Sequence, residues 1–113
     1  GAKHPHTLDT AMKLALVLLQ SGQVEEAIGM YRENLKLRQE VLGPKHANTL
    51  DTANNLANAL YESGQLEEAI VMYRENLKLK KEVFGATHPS TLLTANNLSG
   101  AISKNKNDAN EYA

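Results

Sequence analysis

Thr-Leu-Asp-Thr-Ala stands at residues 7–11 and again at 49–53, and Thr-Leu-Leu-Thr-Ala stands at 91–95. The three copies start at 7, 49 and 91, so the chain repeats every 42 residues. Gly-x-x-His keeps the same register at Gly1/His4, Gly43/His46 and Gly85/His88. Aligned without a gap, 4–45 and 46–87 agree at 27 of 42 positions. Such a period marks a stacked-repeat architecture, in which one unit cannot bury its apolar face until a neighbour packs on it. The third copy follows the pattern to about Ile102 and then departs.

Within the second unit, Leu50, Ala53, Leu56, Ala57 and Leu60 form one stripe of a 3.6-residue helix. A second stripe runs through Leu66, Ala69, Ile70, Tyr73 and Leu77. Between them lies Glu62-Ser63-Gly64-Gln65, with a glycine available for a left-handed helix end. Ser21-Gly22-Gln23 does the same in the first unit. Short connections make neighbouring helices antiparallel. Each second helix opens on paired acids (Glu25-Glu26, Glu67-Glu68) and turns basic later (Lys36, Arg38; Lys78, Lys80, Lys81), the order the helix dipole favours. No segment alternates with a strand period. The reading is all-α: stacked antiparallel helix-turn-helix repeats with helices at 5–20, 24–42, 47–62, 66–84 and 89–104. The chain forms a single domain over 1–113, with repeats at 4–45 and 46–87. A partial third unit or closing helix at 88–104 and a polar, frayed tail at 105–113 complete it.

Composition excludes several functions. Lys and Arg total 12 against 13 Asp and Glu, a formal net charge of −1 that offers no basic face for nucleic acid or anionic membrane. There is no Cys, which removes disulfides, thiolate metal sites and cysteine catalysis. The longest apolar run, Leu14 to Leu19, is too short to span a membrane or act as a secretory signal. We expect an intracellular, cytoplasmic protein. No phosphate-cradling glycine loop, EF-hand loop or catalytic Ser/His/Asp order is present, so no enzyme activity and no cofactor are expected. Three of the four histidines recur at the unit junction and read as turn residues; His4-x-His6 has no acidic or thiol partner at ligand spacing, so no metal site is expected. Gly1 aligns with Gly43, so the sequence starts on a unit boundary and reads as a piece of a longer protein.

The run Leu56-Ala57-x-x-Leu60-x-x-x-Gly64-x-x-x-x-Ala69-x-x-x-Tyr73-x-x-x-Leu77 resembles the tetratricopeptide repeat (TPR). The 42-residue period, the Gly-x-x-His-Pro junction and the Asn-Asn-Leu-Ala string are similar to the longer, kinesin-light-chain-like subtype. The resemblance implies a right-handed α-solenoid of about five helices. Its concave groove, lined by the first helix of each unit, holds a peptide segment of a partner protein. It also implies close-packing small residues at Ala15, Ala57 and Ser99, and at Ala27 and Ala69, with Tyr31 and Tyr73 as their bulky partners. The proline that ends shorter repeats is missing, so each second helix should run about two turns longer. Lys106 replaces the turn glycine and Glu111 the small alanine, which argues against a complete third hairpin.

Asparagine inside a helix costs roughly 0.5–0.7 kcal/mol relative to alanine, yet Asn54, Asn55, Asn58, Asn96 and Asn97 all lie on first-type helices. A local rule broken this often suggests another gain. An amide both donates and accepts and suits the backbone of an extended ligand. By resemblance, Asn55 and Asn97 face the groove as binding residues, with Asn54 and Asn58 as weaker candidates; the bland reading is bonding between neighbouring helices. Lys13 aligns with Asn55 and would meet a ligand carboxylate, and Leu16, Leu19, Tyr61 and Glu62 offer further groove contacts. Asn34 and Asn76 read as structural. In the first helix, Met12, Leu16 and Leu19 form a second apolar stripe beside Leu8, Ala11, Leu14 and Leu18. Its covers are a preceding repeat, a ligand's side chains or a second copy of the chain, so homo-oligomerisation through Met12, Leu16 and Leu19 is the alternative to a peptide-binding scaffold.

Overall fold

The computed structural model describes residues 5–111, with side chains described for 7–109. His4 and the side chain of His6 lie outside these residues. Five helices follow one another: α1 (Pro5–Gln20), α2 (Val24–Leu42), α3 (Ala47–Glu62), α4 (Leu66–Phe84) and α5 (Pro89–Glu111). No strand occurs among the described residues. The first four match the sequence reading. The fifth corrects it: the helix runs through 105–111, where a frayed tail was expected. No glycine interrupts it there, Lys104 pairs with Asp108 at 3.9 Å, and Asn105 and Asp108 lie half-buried beside the Gly64–Glu68 turn.

The turns explain the boundaries. Gly64 has φ +81°, Gln65 N–H donates to Leu60 O at 2.9 Å, and Gly64 N–H donates to Tyr61 O at 3.1 Å. This pair of bonds is the Schellman arrangement, which a residue without Cβ adopts at least cost. Gly22 repeats it, with bonds to Leu18 O and Leu19 O. At the unit junctions His46 Nδ1 accepts the Asn48 N–H at 3.0 Å, and His88 Nδ1 accepts the Ser90 N–H at 3.0 Å. These imidazoles cap α3 and α5, the turn role expected of them. The ring of His88 also stacks on Phe84, centroids 4.7 Å apart.

Each helix packs on the next in chain order, and α3 also touches α5. The stack measures 50 × 34 × 19 Å. Its core follows the family positions: Ala15, Ala27, Ala57 and Ala69 let the backbones approach, and Tyr31 and Tyr73 fill the space between them. Ser99, the third small residue, is exposed, because no described helix follows α5.

A polar seam ties the two helices of each unit together and reaches the next unit through Thr52 and Thr94, whose hydroxyls donate to Asn34 Oδ1 and Asn76 Oδ1 at 3.5 and 3.3 Å. Asn34 Nδ2 donates to Leu8 O at 2.8 Å, and Asn76 Nδ2 donates to Leu50 O at 2.9 Å. These asparagines are structural, as read. Arg38 and Lys80, two of the bases late in their helices, are buried, 3% and 2% exposed. Arg38 donates to Asn34 Oδ1 at 2.7 Å and to Asp9 Oδ1 at 2.6 Å. Lys80 Nζ donates to Thr94 Oγ1 at 2.9 Å and reaches Ser90 O at 3.5 Å. Burial pulls the Lys80 ammonium below the ordinary lysine value, and Asp51 opposes that pull. No buried side-chain nitrogen or oxygen among the described residues lacks a partner. On the surface, Arg32 clasps Glu68 through two bonds of 2.8 and 3.2 Å, and the guanidinium holds that carboxyl below its usual range.

Candidate functional site

Three first-type helices and the floor between them enclose a hollow of about 480 Å³ on one face of the stack. Leu19 enters from α1, and Asn58, Tyr61 and Glu62 from α3. Asn96, Asn97 and Gly100 enter from α5, and Tyr73 of α4 forms the floor. The 42-residue register produces this gathering. Asn58 and Gly100 hold equivalent positions, so a side chain on one wall faces a gap on the other. The Tyr73 hydroxyl donates to Asn58 Oδ1, and Asn97 Nδ2 approaches the same oxygen at 3.5 Å. Burial first, then Tyr61 and Glu62, pushes the Tyr73 phenol up to about 12, so it remains a protonated donor. The arrangement offers amide groups beside apolar walls, a lining suited to a neutral backbone.

A second hollow, of about 290 Å³, lies on the neighbouring junction. Asp9, Met12 and Lys13 of α1 face Asn48, Asp51 and Thr52 of α3, over Arg38. Lys13 therefore stands among carboxylates within the protein itself.

The expected site residues divide accordingly. Asn58, Asn97, Leu19 and Tyr61 meet around the larger hollow. Lys13 lines the smaller one. Asn55 is half-buried and lines neither. Asn54 departs from its expected role: it is 7% exposed, and its Oδ1 accepts from the Thr94 hydroxyl at 3.2 Å, bonding one unit to the next. Met12 holds the equivalent place one unit earlier, its sulfur 3.6 Å from the Thr52 hydroxyl. The uncovered apolar stripe of α1 is accordingly not Met12, Leu16 and Leu19. Met12 and Leu19 pack on the core, while Leu14, Leu16 and Val17 are 50%, 48% and 58% exposed.

Sequence reasoning did not place Tyr73 or Gly100 at the hollow. Tyr73 was legible only as a packing residue, because its ring fills the core while its hydroxyl reaches Asn58 at the floor of the hollow. Among the described residues no three His, Asp or Glu side chains gather as a metal site, and no helix is long and apolar enough to cross a membrane.

The tetratricopeptide repeat model matches residues 6–82 and 52–109. No curated protein sequence matches the chain. Among solved structures, it is similar to the nearly identical TPR-like repeats of a kinesin light chain candidate from Podosopora anserina, with 25% identity and a TM-score of 0.87. The match covers 94% of this chain and 50% of that one. A substituted form of the same repeats matches equally. BtubC (BKLC) from P. vanneervenii shares the fold, with 23% identity, a TM-score of 0.76, and coverage of 89% and 42%. The chain thus spans half or less of these relatives. Tetratricopeptide repeats act in general as protein-interaction scaffolds, and the matched repeat, the five-helix stack and its relatives together show that this chain belongs to the tetratricopeptide-repeat family, in its kinesin-light-chain-like form.

Proposed function

We propose that the chain is a non-enzymatic scaffold that holds a peptide segment of a partner protein in the hollow between α3 and α5. The observation that carries this reading is the lining: amides of Asn58, Asn96 and Asn97 beside Leu19 and Tyr61. Asn96 is exposed and Asn97 half-buried, so both are available to a backbone running along the groove. Glu62 at the rim disfavours an acidic ligand. Titration with a peptide library tests the reading. Peptides selected by the parent should lose most of their affinity for an Asn96→Ala/Asn97→Ala variant, while Asn55→Ala, outside the hollow, should change little. Equal binding by parent and double variant would remove the asparagine role.

A second reading rests on the α1 surface. Leu56 and Ala59 are 2% and 0% exposed within the stack, whereas their equivalents Leu14 and Val17 are 50% and 58% exposed. Such a face favours a homo-oligomer or a stacked array. Light scattering across a concentration series separates the two. Self-association should be abolished by Leu14→Glu with Val17→Glu; a monomer at every concentration, unchanged by these substitutions, counts against it.

A further inference from the structure

A second surface, away from the concave hollow, repeats with the sequence. A slot of about 310 Å³ opens between α2 and α4 and is floored by α3. Its walls are mostly apolar, with Ala53, Met72 and Leu79 prominent, and one carboxylate, Glu75, lines it. A slot of about 200 Å³ lies between α1 and α2, with Ala11, Met30, Leu37 and Glu33 in the same positions one unit earlier. Neither slot shares a residue with the two concave hollows.

Two acids of α4 are held in ion pairs, and the carboxylates of the slots are not. Glu68 is held by Arg32 and Glu82 by Lys45. Glu33 and Glu75 are exposed, form no ion pair among the described residues, and have no basic side chain beside them in the slot lining. Each slot therefore combines an apolar cavity with a fixed negative charge. Both cavities exceed the roughly 150 Å³ that accommodates a benzene-sized apolar group. Val71, 65% exposed at the larger slot, extends its apolar rim.

We propose that the slots form an outer docking face for a basic amphipathic helix of a partner protein. Its leucine-type side chains enter the slots, and its arginine or lysine meets Glu33 and Glu75. A helix presents such a pair on one face when the two residues are four apart. This face is independent of the concave reading and stands whether or not that reading holds.

The probe is an acetylated, amidated helical peptide of alanine and glutamine that carries leucine and arginine four residues apart. A twin peptide carries glutamate for arginine. Fluorescence anisotropy measures affinity, and amide chemical shifts locate the contact. The arginine peptide should bind and move the signals of Ala53, Val71 and Leu79. A Glu33→Lys/Glu75→Lys variant should bind it about tenfold more weakly and prefer the glutamate twin. Glu33→Gln/Glu75→Gln should fall between. Both acids are exposed, so these variants keep the fold, which circular dichroism verifies. The proposal is overturned by absence of binding, by equal affinity for the two peptides, by indifference to charge reversal, or by shifts confined to Asn58 and Asn97.

Discussion

Replacing Lys80 with arginine should copy the polar seam of the first unit into the second. In the first unit Arg38 lies 2.6 Å from Asp9 and 2.7 Å from Asn34. In the second, Asp51 and Asn76 occupy the same positions, but Lys80 reaches Thr94 and Ser90 instead. Lysine's single ammonium cannot serve the amide and the carboxylate together, whereas a guanidinium fork can. A buried hydrogen bond from a charged donor contributes about 1.5–3 kcal/mol, and the Thr94 bond given up offsets most of that. Asp9 is 60% exposed in the existing pair, so the equivalent ion pair adds only about 0.5 kcal/mol after solvent screening. The balance is about 1 kcal/mol in favour of Lys80→Arg, or about 4 °C in Tm for a domain of this size. Urea and thermal unfolding followed by circular dichroism measure it. In an Asp51→Asn background the gain should shrink by the ion-pair part. A neutral or destabilising Lys80→Arg, or a gain indifferent to Asp51, refutes this account of the seam.

The other predictions concern the same stack. Tyr73 has its phenol raised from 10.0 to about 12, so its contribution is fully present below pH 10 and is lost as pH rises through about 12. The urea midpoint should fall across that window by an equivalent of about 2 kcal/mol, and Tyr73→Phe should flatten the fall. Lys80 acts oppositely: its pKa is lowered, so in the window just below 10.5 it lets stability rise with pH, and Lys80→Arg should abolish that rise. Leu56→Ala should cost about 2–5 kcal/mol by cavity formation, while Leu14→Ala, its exposed equivalent, should stay within about 0.5 kcal/mol; equal losses would contradict the stacking order. His88→Ala removes the cap of α5 and the ring on Phe84, and should cost about 1 kcal/mol by the same unfolding assay.

Four helix boundaries were legible because two local signals coincide there. Apolar spacing ends where Gly22, Gly43, Gly64 or Gly85 takes a positive φ that reverses or redirects the chain. The tail of α5 carried neither signal. Its residues 105–110 are polar nearly all round, and their helicity rests on continuity with the buried Ala101 turn and on the Lys104–Asp108 pair. At the hollow, Asn58, Asn97, Leu19 and Tyr61 were legible through the family resemblance, which places the first helix of each unit along the groove. Asn54 was not. Its partner, Thr94, belongs to the next unit, and only the packing of α3 on α5 shows that the amide is spent inside the protein. The burial of Arg38 and Lys80 was not legible for a similar reason. A base late in a helix satisfies the dipole whether it points outward or inward, and only its place four residues after Asn34 or Asn76 on the buried face distinguishes the two.

The central claim is that two-helix units stack in chain order with a 42-residue register, because that register builds the hollow and the seam alike. The chain has no Cys, so introduced thiols report without background. Met12 meets Thr52 and Asn54 meets Thr94 across successive junctions. A short thiol cross-linker should join Met12→Cys to Thr52→Cys, and Asn54→Cys to Thr94→Cys, within one chain, and should leave Met12→Cys with Thr94→Cys unjoined. Cross-links found only between chains, or as readily in the mismatched pair as in the matched ones, would contradict it.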